Sequence, residues 1–412
     1  METISRRCAG LDVHEAFGVA CRRVLGPNDR VESTLRRCST MTADRLALAE
    51  WLAEAGVTHV AMESTGVFWK PVWNLLEDRY TIVLVNPRDV KQVPGRKTDV
   101  ADADWLAHLL QYGLLKSSFI PPEPIRDLRD LTRHRTSLLH ERTRTVNRIH
   151  KVLEDANIKL SAVASDIMGV SGQAMLRALI AGETDPVRLA DVARYRLRRK
   201  QAALQQALHG RVRAHHRFLL QTLLEQVGFL DRQVTHVDTR IDEQLRPFAA
   251  RLARIRTIPG LKRRAGENLL AEIGPDMTVF PSAAHLCSWA AICPGHHETG
   301  GKQRSGKTRR GNRWLRGTLT EAAWAAARTK GSYFAGQYRR LAGRRGKKRA
   351  IVAVSHSLLI AAYHVLRDGV TYRELGEQHF DRLAPAQLTR YLVKRLERLG
   401  HQVTLTPAGV AA

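Results

Sequence analysis

The sequence lacks the features of secreted, membrane-spanning and zinc-binding proteins. Its 412 residues include five cysteines, an odd number without a CxxC pair, so a complete disulfide framework is not expected. Cys287 and Cys293 lie near His296 and His297, but this spacing fits no common zinc pattern, and buried thiols are expected instead. No run approaches about 18 uninterrupted apolar residues, and the N-terminal METISRRCAG has no signal-peptide core. We therefore expect a cytoplasmic protein without a membrane partner.

Acidic residues are scarce relative to basic ones. The chain has 40 Asp and Glu against 66 Lys and Arg, which gives a formal net charge of +26. This excess is larger than a solvated surface needs and predicts a nucleic-acid partner. Arginine strongly outnumbers lysine, which suits bidentate phosphate contacts but also fits a GC-rich genome.

Residues 1–120 alternate between β-like and helical patterns and are predicted to form an α/β domain. No GxGxxG follows the first strand, so a mixed sheet of the nucleotidyl-transfer kind is expected rather than a dinucleotide-binding fold. Pro121, Pro122 and Pro124 mark its end. The predicted strands are Cys8–Val13, Ala16–Val24, His59–Met62 and Thr81–Val85, and the predicted helices are Thr42–Ala55 and Val72–Asp78.

The remainder of the chain reads as mostly helical. Residues 125–250 carry two coiled-coil-like stripes, one from Leu128 to Leu153 and one from Leu204 to Leu245. Two readings stay open: helices packed within one protomer, or a hairpin that also mediates oligomerisation or grips nucleic acid. The basic residues assigned to the outer face are Arg133, Arg135, Arg142, Arg144 and Arg148.

Residues 251–375 are predicted to form a third domain that binds a polyanion. The turn at Gly260 resembles that of a helix-hairpin-helix, which presents backbone N–H groups to a phosphate, although an ordinary helix connection fits as well. Between Lys302 and Arg349 there are sixteen Lys or Arg against one acid, interrupted by a helical apolar stripe. Residues 376–412 read as a polar appendage with one helix, Ala386–Leu399.

Four acids carry the chemical prediction. Asp12 lies in the first strand beside Gly10, and Glu63 follows the apolar run His59–Met62. Asp99 and Asp102, three residues apart where a helix begins, share a helix face, while the geometry turns Asp104 away. Carboxylates at strand ends and a helix start are a way to hold Mg²⁺ or Mn²⁺ against a phosphate, because hard cations take oxygen ligands. Crowded carboxylates would also repel each other without a cation.

These motifs resemble those of the DEDD transposases of bacterial insertion sequences, the group with a RuvC-like N-terminal domain. The resemblance covers roughly residues 8–375. In the first half it lies in LDVHE, MESTG and KTDxxDA, and in the second half in IPG, a spaced F…W…P, ETGG and RRGNRWLR.

The resemblance implies an RNase H-like (RuvC-like) domain whose metal site is formed by Asp12, Glu63, Asp99 and Asp102. It also implies a hydroxyl nucleophile in the C-terminal domain that forms a covalent enzyme–DNA intermediate. The family further implies a noncoding guide RNA encoded by the element, and composite sites in a homo-oligomer, a dimer or tetramer. The expected location is the bacterial cytoplasm, with the nucleoid.

The predicted nucleophile departs from the family pattern. Family members have Ser after the Glu of ETGG, where this chain has Thr299. Threonine keeps the hydroxyl, but its methyl group restricts χ1. Ser305 is the alternative nucleophile, and a third reading makes Thr299 only a turn residue before Gly300. The residues expected to contact nucleic acid nearby are Arg304, Lys307, Arg309, Arg310, Asn312, Arg313 and Arg316.

The expected function is therefore that of a transposase or recombinase. Two alternatives predict different products. A RuvC-like nuclease acting on branched DNA would cut without a covalent adduct. A binding protein without catalytic activity would make no strand breaks but would bind with strong salt dependence.

Overall fold

The chain forms two compact units, Met1–Ile120 and Pro121–Ala412. A computed structural model describes residues 4–26, 28, 30–90, 99–295, 297–383 and 385–406. The side chains of residues 88, 89, 99–101, 297–299 and 303–305 lie outside this description. The expected boundaries near residues 250 and 375 lie inside the second unit.

The first unit is built on a five-stranded mixed sheet with the order β3-β2-β1-β4-β5. Strands β1, β2 and β3 are antiparallel, and β1, β4 and β5 are parallel. This confirms the predicted α/β class. The elements are β1 Arg7–Val13, β2 Phe17–Leu25, β3 Val31–Ser39, α1 Thr42–Glu54, β4 His59–Glu63, α2 Trp69–Leu76, β5 Thr81–Val85, α3 Pro87–Val90 and α4 Asp99–Gln111.

Alternation along the strands divides the core of this unit between the two faces of the sheet. Leu11 and Met62 pack with Leu52 of α1 on one face. Ala61 packs with Leu106 of α4 on the other face. Residues at even positions of β1 and odd positions of β4 therefore face α4.

Strand β3 was not predicted from the sequence. It pairs with β2 along its whole length but lies at the edge of the sheet, and most of its residues are half-buried or exposed. Its sequence VESTLRRCS is largely polar and charged, as suits an edge that must not pair with other chains. A search for apolar alternation therefore passes over it.

Within the described residues, the second unit is helical apart from one short hairpin. Two 3₁₀ segments, Tyr195–Lys200 and Arg246–Phe248, join its helices. The elements are α5 Glu123–Asp155, α6 Leu160–Val163, α7 Val170–Ala181, α8 Pro186–Asp191, α9 Gln201–Leu208, α10 Ala214–Leu245, α11 Ala249–Ile255, α12 Arg263–Ile273, α13 Ala283–Trp289, β6 His297–Thr299, β7 Lys302–Ser305, α14 Arg313–Ala327, α15 Tyr333–Arg345, α16 Lys347–Asp368, α17 His379–Leu383 and α18 Pro385–Arg398.

Helices α5 and α10 pack against each other within one protomer. Arg142 contacts Asp231 and Arg135 contacts Asp238, so the two helices run antiparallel. Leu138 packs between them against α10. This packing is common to both readings of the coiled-coil-like stripes.

Two expectations for this helical region were wrong. The stripe from Leu204 to Leu245 is not one helix, because α9 ends at Leu208 and α10 begins at Ala214. A Cβ at Gly210 would lie 2.4 Å from the Ala156 carbonyl oxygen, so the break lets the chain turn close to the end of α5. Arg135 is not on a basic outer face, because it is 1% exposed and is bound by acids.

Helix α16 lies in the core of the second unit and packs against α13, α14 and α15. By length and composition it could cross a membrane, with a mean hydropathy of 1.5 over its most apolar window. However, 56% of that window is buried inside the fold. A buried core helix passes the same test, so the helix is weak evidence for a membrane span.

Candidate functional site

Asp12 and Glu63 lie side by side at the carboxyl ends of the central strands β1 and β4. This end of the sheet is the edge meant below. Strands β1 and β4 are parallel, and Leu11 pairs with Met62. The next residues in this register are Asp12 and Glu63, on strands that lie about 4.8 Å apart. Both follow the alternation onto the face covered by α4, so their side chains start from neighbouring positions on that face.

Helix α4 crosses this face in direct contact with β1. A Cβ at Gly10 would lie 2.2 Å from the Ala103 carbonyl oxygen and 2.5 Å from the Ala107 amide nitrogen. No other residue fits there without moving the helix. Gly10 and Asp12 lie two residues apart on β1 and therefore face the same side of the sheet. Helix α4 thus contacts the sheet at the position next to Asp12 on that face.

The direction of α4 brings its first turn to the same edge. The C-terminal carbonyl of the helix, at Gln111, accepts hydrogen bonds from the amides of Ile4 and Ser5, just before β1 begins. The helix therefore runs antiparallel to β1, and its N-terminal turn lies toward the end of β1 where Asp12 sits. That turn carries Asp99 and Asp102. The backbone thus gathers all four predicted positions at one edge of the sheet.

The side chains of three of the four acids, Asp12, Glu63 and Asp102, are described. That of Asp99 lies outside the described residues. Asp12 is half-buried, and its Oδ2 lies 3.0 Å from His14 Nε2. Among the described side chains, no three His, Cys, Asp or Glu residues are grouped closely enough to hold a metal ion. The oxygen donors of Asp12, Glu63 and Asp102 are of the type that Mg²⁺ takes.

His14 was not among the predicted site residues, although it lies in the LDVHE motif. The turn between β1 and β2 is closed by a hydrogen bond from the His14 amide to the Phe17 carbonyl. The His14 ring packs on Phe17, with ring centroids 4.9 Å apart, and the Arg37 guanidinium lies 4.1 Å from the Phe17 centroid. This cluster of His14, Phe17 and Arg37 lies next to Asp12. The feature of the sequence that could have identified His14 is its position two residues after Asp12.

Asp104 has a different environment from Asp102 on the same helix. Its Oδ1 accepts hydrogen bonds from Arg23 Nη1 at 2.7 Å and from the hydroxyl of Ser33 at 3.1 Å. Burial raises the pKa of Cys21 to about 12, so that residue stays a thiol and donates to the same oxygen. Burial also acts to raise the pKa of Asp104, but these hydrogen bonds and the Arg23 charge together hold it below its ordinary value. Asp104 therefore ties α4 to β2 and β3.

The predicted nucleophiles lie on the hairpin β6–β7 of the second unit. Thr299 pairs with Lys302 across a two-residue turn, and both turn residues have positive φ, 58° at Gly300 and 72° at Gly301. This is what a type I′ turn requires, and glycine meets the requirement without strain. Ser305 pairs with His297 at the other end of the hairpin. Thr299 thus adjoins the exposed tip and Ser305 lies at the base, while the side chains of both lie outside the described residues.

Several residues after the hairpin have structural contacts. Asn312 is the N-cap of α14: its Oδ1 accepts from the amides of Trp314 and Leu315. Its Nδ2 donates to the buried Glu272 at 2.5 Å. Arg316 donates to the carbonyl of Arg309 and to the Thr308 hydroxyl. These contacts hold the segment from 308 to 316 against the start of α14.

The remaining predicted contacts are exposed wherever their side chains are described. Lys307, Arg309, Arg310 and Arg313 are exposed. Arg309 Nη2 donates to the carbonyl and hydroxyl oxygens of Ser288, and the Arg313 guanidinium lies 4.7 Å from the Trp314 ring centroid. The side chain of Arg304 lies outside the described residues.

Gly260 has a packing role. Its φ is 87°, and a Cβ there would lie 2.2 Å from the carbonyl oxygen of Ala322 in α14. The turn between α11 and α12 therefore rests on a helix of its own unit. This contact fits both readings given to the turn, so the phosphate contact at Gly260 stays a prediction.

Comparison with known protein families identifies the class. A family model described as "Transposase" matches residues 9–158, which include the four acids. A second model, described as "Transposase IS116/IS110/IS902 family", matches residues 252–339, which include the hairpin. The chain belongs to this family of transposases.

Two curated proteins are similar to parts of the chain. The pilin gene-inverting protein of Moraxella bovis is 29% identical over 171 residues, which is 41% of this chain and 52% of the relative. The pilin gene-inverting protein of Moraxella lacunata is 32% identical over 120 residues, 28% of this chain and 37% of the relative. The chain thus spans about half the length of the first and somewhat over a third of the second.

Proposed function

We propose that this transposase recombines DNA with a Mg²⁺ or Mn²⁺ site formed by Asp12, Glu63, Asp99 and Asp102. The supporting observation is the β1–β4 register, together with the contact of α4 at Gly10, which gathers the four positions at one sheet edge. The strand order and directions support an RNase H-like (RuvC-like) fold. A bound divalent cation would orient a phosphate and offset the charge that develops on it.

The hydroxyl of Thr299 is the proposed nucleophile. It attacks a DNA phosphorus, its proton leaves, a new Thr Oγ1–P bond forms, and the P–O bond to one DNA strand breaks to release a strand hydroxyl. Attack by the hydroxyl of another strand then reverses this step and frees Thr299. The number of phosphodiester linkages is unchanged, so no external energy source is needed. The place of Thr299 beside the exposed tip of the hairpin supports its access to DNA.

The proposed partners are DNA, a noncoding guide RNA and further copies of the chain in a dimer or tetramer. The net charge of +26 suits two nucleic acids. The carboxylates lie in the first unit and the hydroxyl lies in the second, so the reaction requires both units. The name of the Moraxella relatives, pilin gene-inverting proteins, favours recombination over simple cleavage.

A trapping experiment tests the nucleophile. The purified chain, Mg²⁺, the RNA of its element and labelled donor and target DNA are combined, then resolved on denaturing gels. We expect a protein–DNA adduct with the wild type and with Thr299→Ser, and none with Thr299→Ala.

Ser305→Ala is the matched control, because its hydroxyl lies at the other end of the same hairpin. Retention of the adduct in Thr299→Ala together with its loss in Ser305→Ala would move the role to Ser305. Cleavage without any adduct would favour a nuclease that uses water. Tight binding without strand breaks would favour a protein that only binds nucleic acid.

A further inference from the structure

A pocket of about 340 Å³ lies in the second unit between helices α5, α12 and α14. Its volume is at the lower end of the range for small-ligand sites. The lining combines one tryptophan, several arginines and a glycine inside a helix. The residues that matter here are Arg133, Arg264, Arg313, Trp314, Gly317 and Glu321.

The centre of the pocket is a group of planar side chains around Trp314. The Arg313 guanidinium lies 4.7 Å from the centroid of the Trp314 ring, and that of Arg133 lies 6.0 Å from it. Trp314 is half-buried and lines the pocket. Unpaired bases of nucleic acids stack on aromatic rings and on guanidinium planes, so this group offers a surface for a base.

Acids hold two positively charged side chains of the pocket, Arg133 and Arg264, in position. Glu272, which is 2% exposed, binds Arg133 through two hydrogen bonds of 2.7 and 2.8 Å. Arg264 donates to Asp238 at 3.0 Å. Arg313 is exposed, and within the described residues it contacts the Trp314 ring rather than a carboxylate. Its charge can therefore meet a phosphate that approaches the open side of the pocket.

Gly317 keeps the pocket open beside the ring. It lies inside α14, three residues after Trp314 and so on the same side of the helix. Glycine inside a helix is destabilising relative to alanine. A Cβ at this position would meet nothing within 4 Å. Close packing therefore does not account for the glycine, and the space beside it is open to a ligand.

We propose that this pocket binds one unpaired nucleotide of a nucleic-acid strand. The base stacks beside Trp314, and the phosphate contacts Arg313 and Arg264. The carboxylate of Glu321 would repel a phosphate but accepts hydrogen bonds from the amino group of a base, so it faces the base. This inference takes nucleic acid as the partner from the proposed function, but it does not depend on the metal site or on Thr299.

Equilibrium binding of the full chain tests the proposal. The probes are a fluorescent single-stranded DNA, an RNA of the same sequence and the matching DNA duplex, in EDTA so that no chemistry occurs. We expect Trp314→Ala and Gly317→Leu to weaken binding of at least one single strand by about tenfold to a hundredfold, the usual effect of losing base stacking. Binding of the duplex should change less than about twofold.

Two matched controls accompany these variants. Trp324→Ala removes an exposed tryptophan of the same helix that does not line the pocket. Gly228→Leu adds a side chain to a glycine inside α10. Both should bind all probes like the wild type. Gly317→Leu is expected to fold, because the added side chain meets no neighbour at its Cβ. It therefore tests the pocket even if Trp314→Ala misfolds.

Three results would overturn the proposal: unchanged single-strand binding in both pocket variants, an equal loss for the duplex, or displacement of the single strand by polyglutamate at equal charge. A loss limited to RNA identifies the guide as the source of the nucleotide, and a loss limited to DNA identifies the substrate. Absence of the Thr299 adduct while these binding differences persist would refute only the proposed recombination chemistry. Formation of the Thr299 adduct without these binding differences would refute only nucleotide binding in the pocket.

Discussion

The two units use acidic residues in different ways. In the second unit Glu267 and Glu272 are 1% and 2% exposed, and each is bound by at least one arginine of helix α5. In the first unit Asp12, Glu63 and Asp102 are half-buried at the end of the sheet, and Asp12 contacts a histidine. Burial of an acid among arginines joins helices, whereas carboxylates gathered at a sheet edge suit a cation and a phosphate.

Asp104 refines this comparison, because it lies on the same helix as Asp102 and yet behaves like the acids of the second unit. It binds Arg23 and joins α4 to the sheet. Two residues of helical rotation therefore separate a candidate metal ligand from a structural acid. The following predictions test this division, beginning with the largest expected effect.

Removal of the charge of Asp12 should have the largest effect, and it should fall on catalysis. Asp12→Asn is expected to lower the rate of strand transfer by about 10²–10³-fold, as when an electrostatic contact to the transition state is lost. Gel assays of recombination in Mg²⁺ measure it, and EDTA should abolish activity in the wild type. Asp104→Asn, the matched control, should keep most of its activity. If Asp104→Asn lost as much activity as Asp12→Asn, the division between the two kinds of acid would be wrong.

Removal of a buried arginine should have the largest effect on stability. Arg135 and Glu267 are each 1% exposed, with Arg135 Nη1 2.5 Å from Glu267 Oε2. Among the described residues, Arg135→Leu leaves the buried Glu267 with the half-exposed Arg263 as its cationic partner, so the free energy of unfolding should fall by about 3–5 kcal/mol. Denaturant titration measures this change.

The control for Arg135 is an ion pair at the surface of the first unit. Arg79 and Glu50 are 52% and 64% exposed, so Glu50→Gln should leave the unfolding midpoint of the protein unchanged within error. An Arg135→Leu variant as stable as Glu50→Gln would contradict the structural role given to the buried acids.

Addition of one methyl group at Gly10 should affect both stability and activity. Gly10→Ala pushes a Cβ against the backbone of α4, which should destabilise the first unit by about 1–3 kcal/mol and move the first turn of the helix. Thermal unfolding and strand-transfer assays measure the two effects. Gly18→Ala is the control, because its Cβ would meet its nearest atom at 3.5 Å, an ordinary contact. Full activity in Gly10→Ala would show that catalysis does not depend on the position of α4.

The smallest expected effect is on pH dependence. The pKa of Asp104 is lower in the folded chain than its ordinary value, so its stabilising effect is complete above about pH 4 and is lost as the pH falls further. The difference in melting temperature between the wild type and Asp104→Asn should therefore shrink between about pH 6 and about pH 3. A constant difference would show that the carboxylate charge is not what stabilises the fold.

The parts that were predicted well are those in which local pattern and tertiary environment agree. The strand Thr81–Val85 has the predicted bounds, and β1 and β4 lie where apolar runs indicated strands. The hairpin β6–β7 and the edge strand β3 were missed because both are short of apolar residues. The break in the stripe from Leu204 to Leu245 was missed, because Gly210 is needed for a close approach to α5 and the apolar periodicity does not show that approach.

The sequence by itself determined the class of fold in the first unit and the strand and helix positions of the four acids. These follow from side-chain alternation and from local backbone preference, which depend on near neighbours in the chain. Only the tertiary structure decided which charges are structural, such as those of Asp104, Arg135 and Glu272, and which side chains form the pocket at Trp314. Such assignments depend on burial and on partners far apart in sequence, and no local pattern records them.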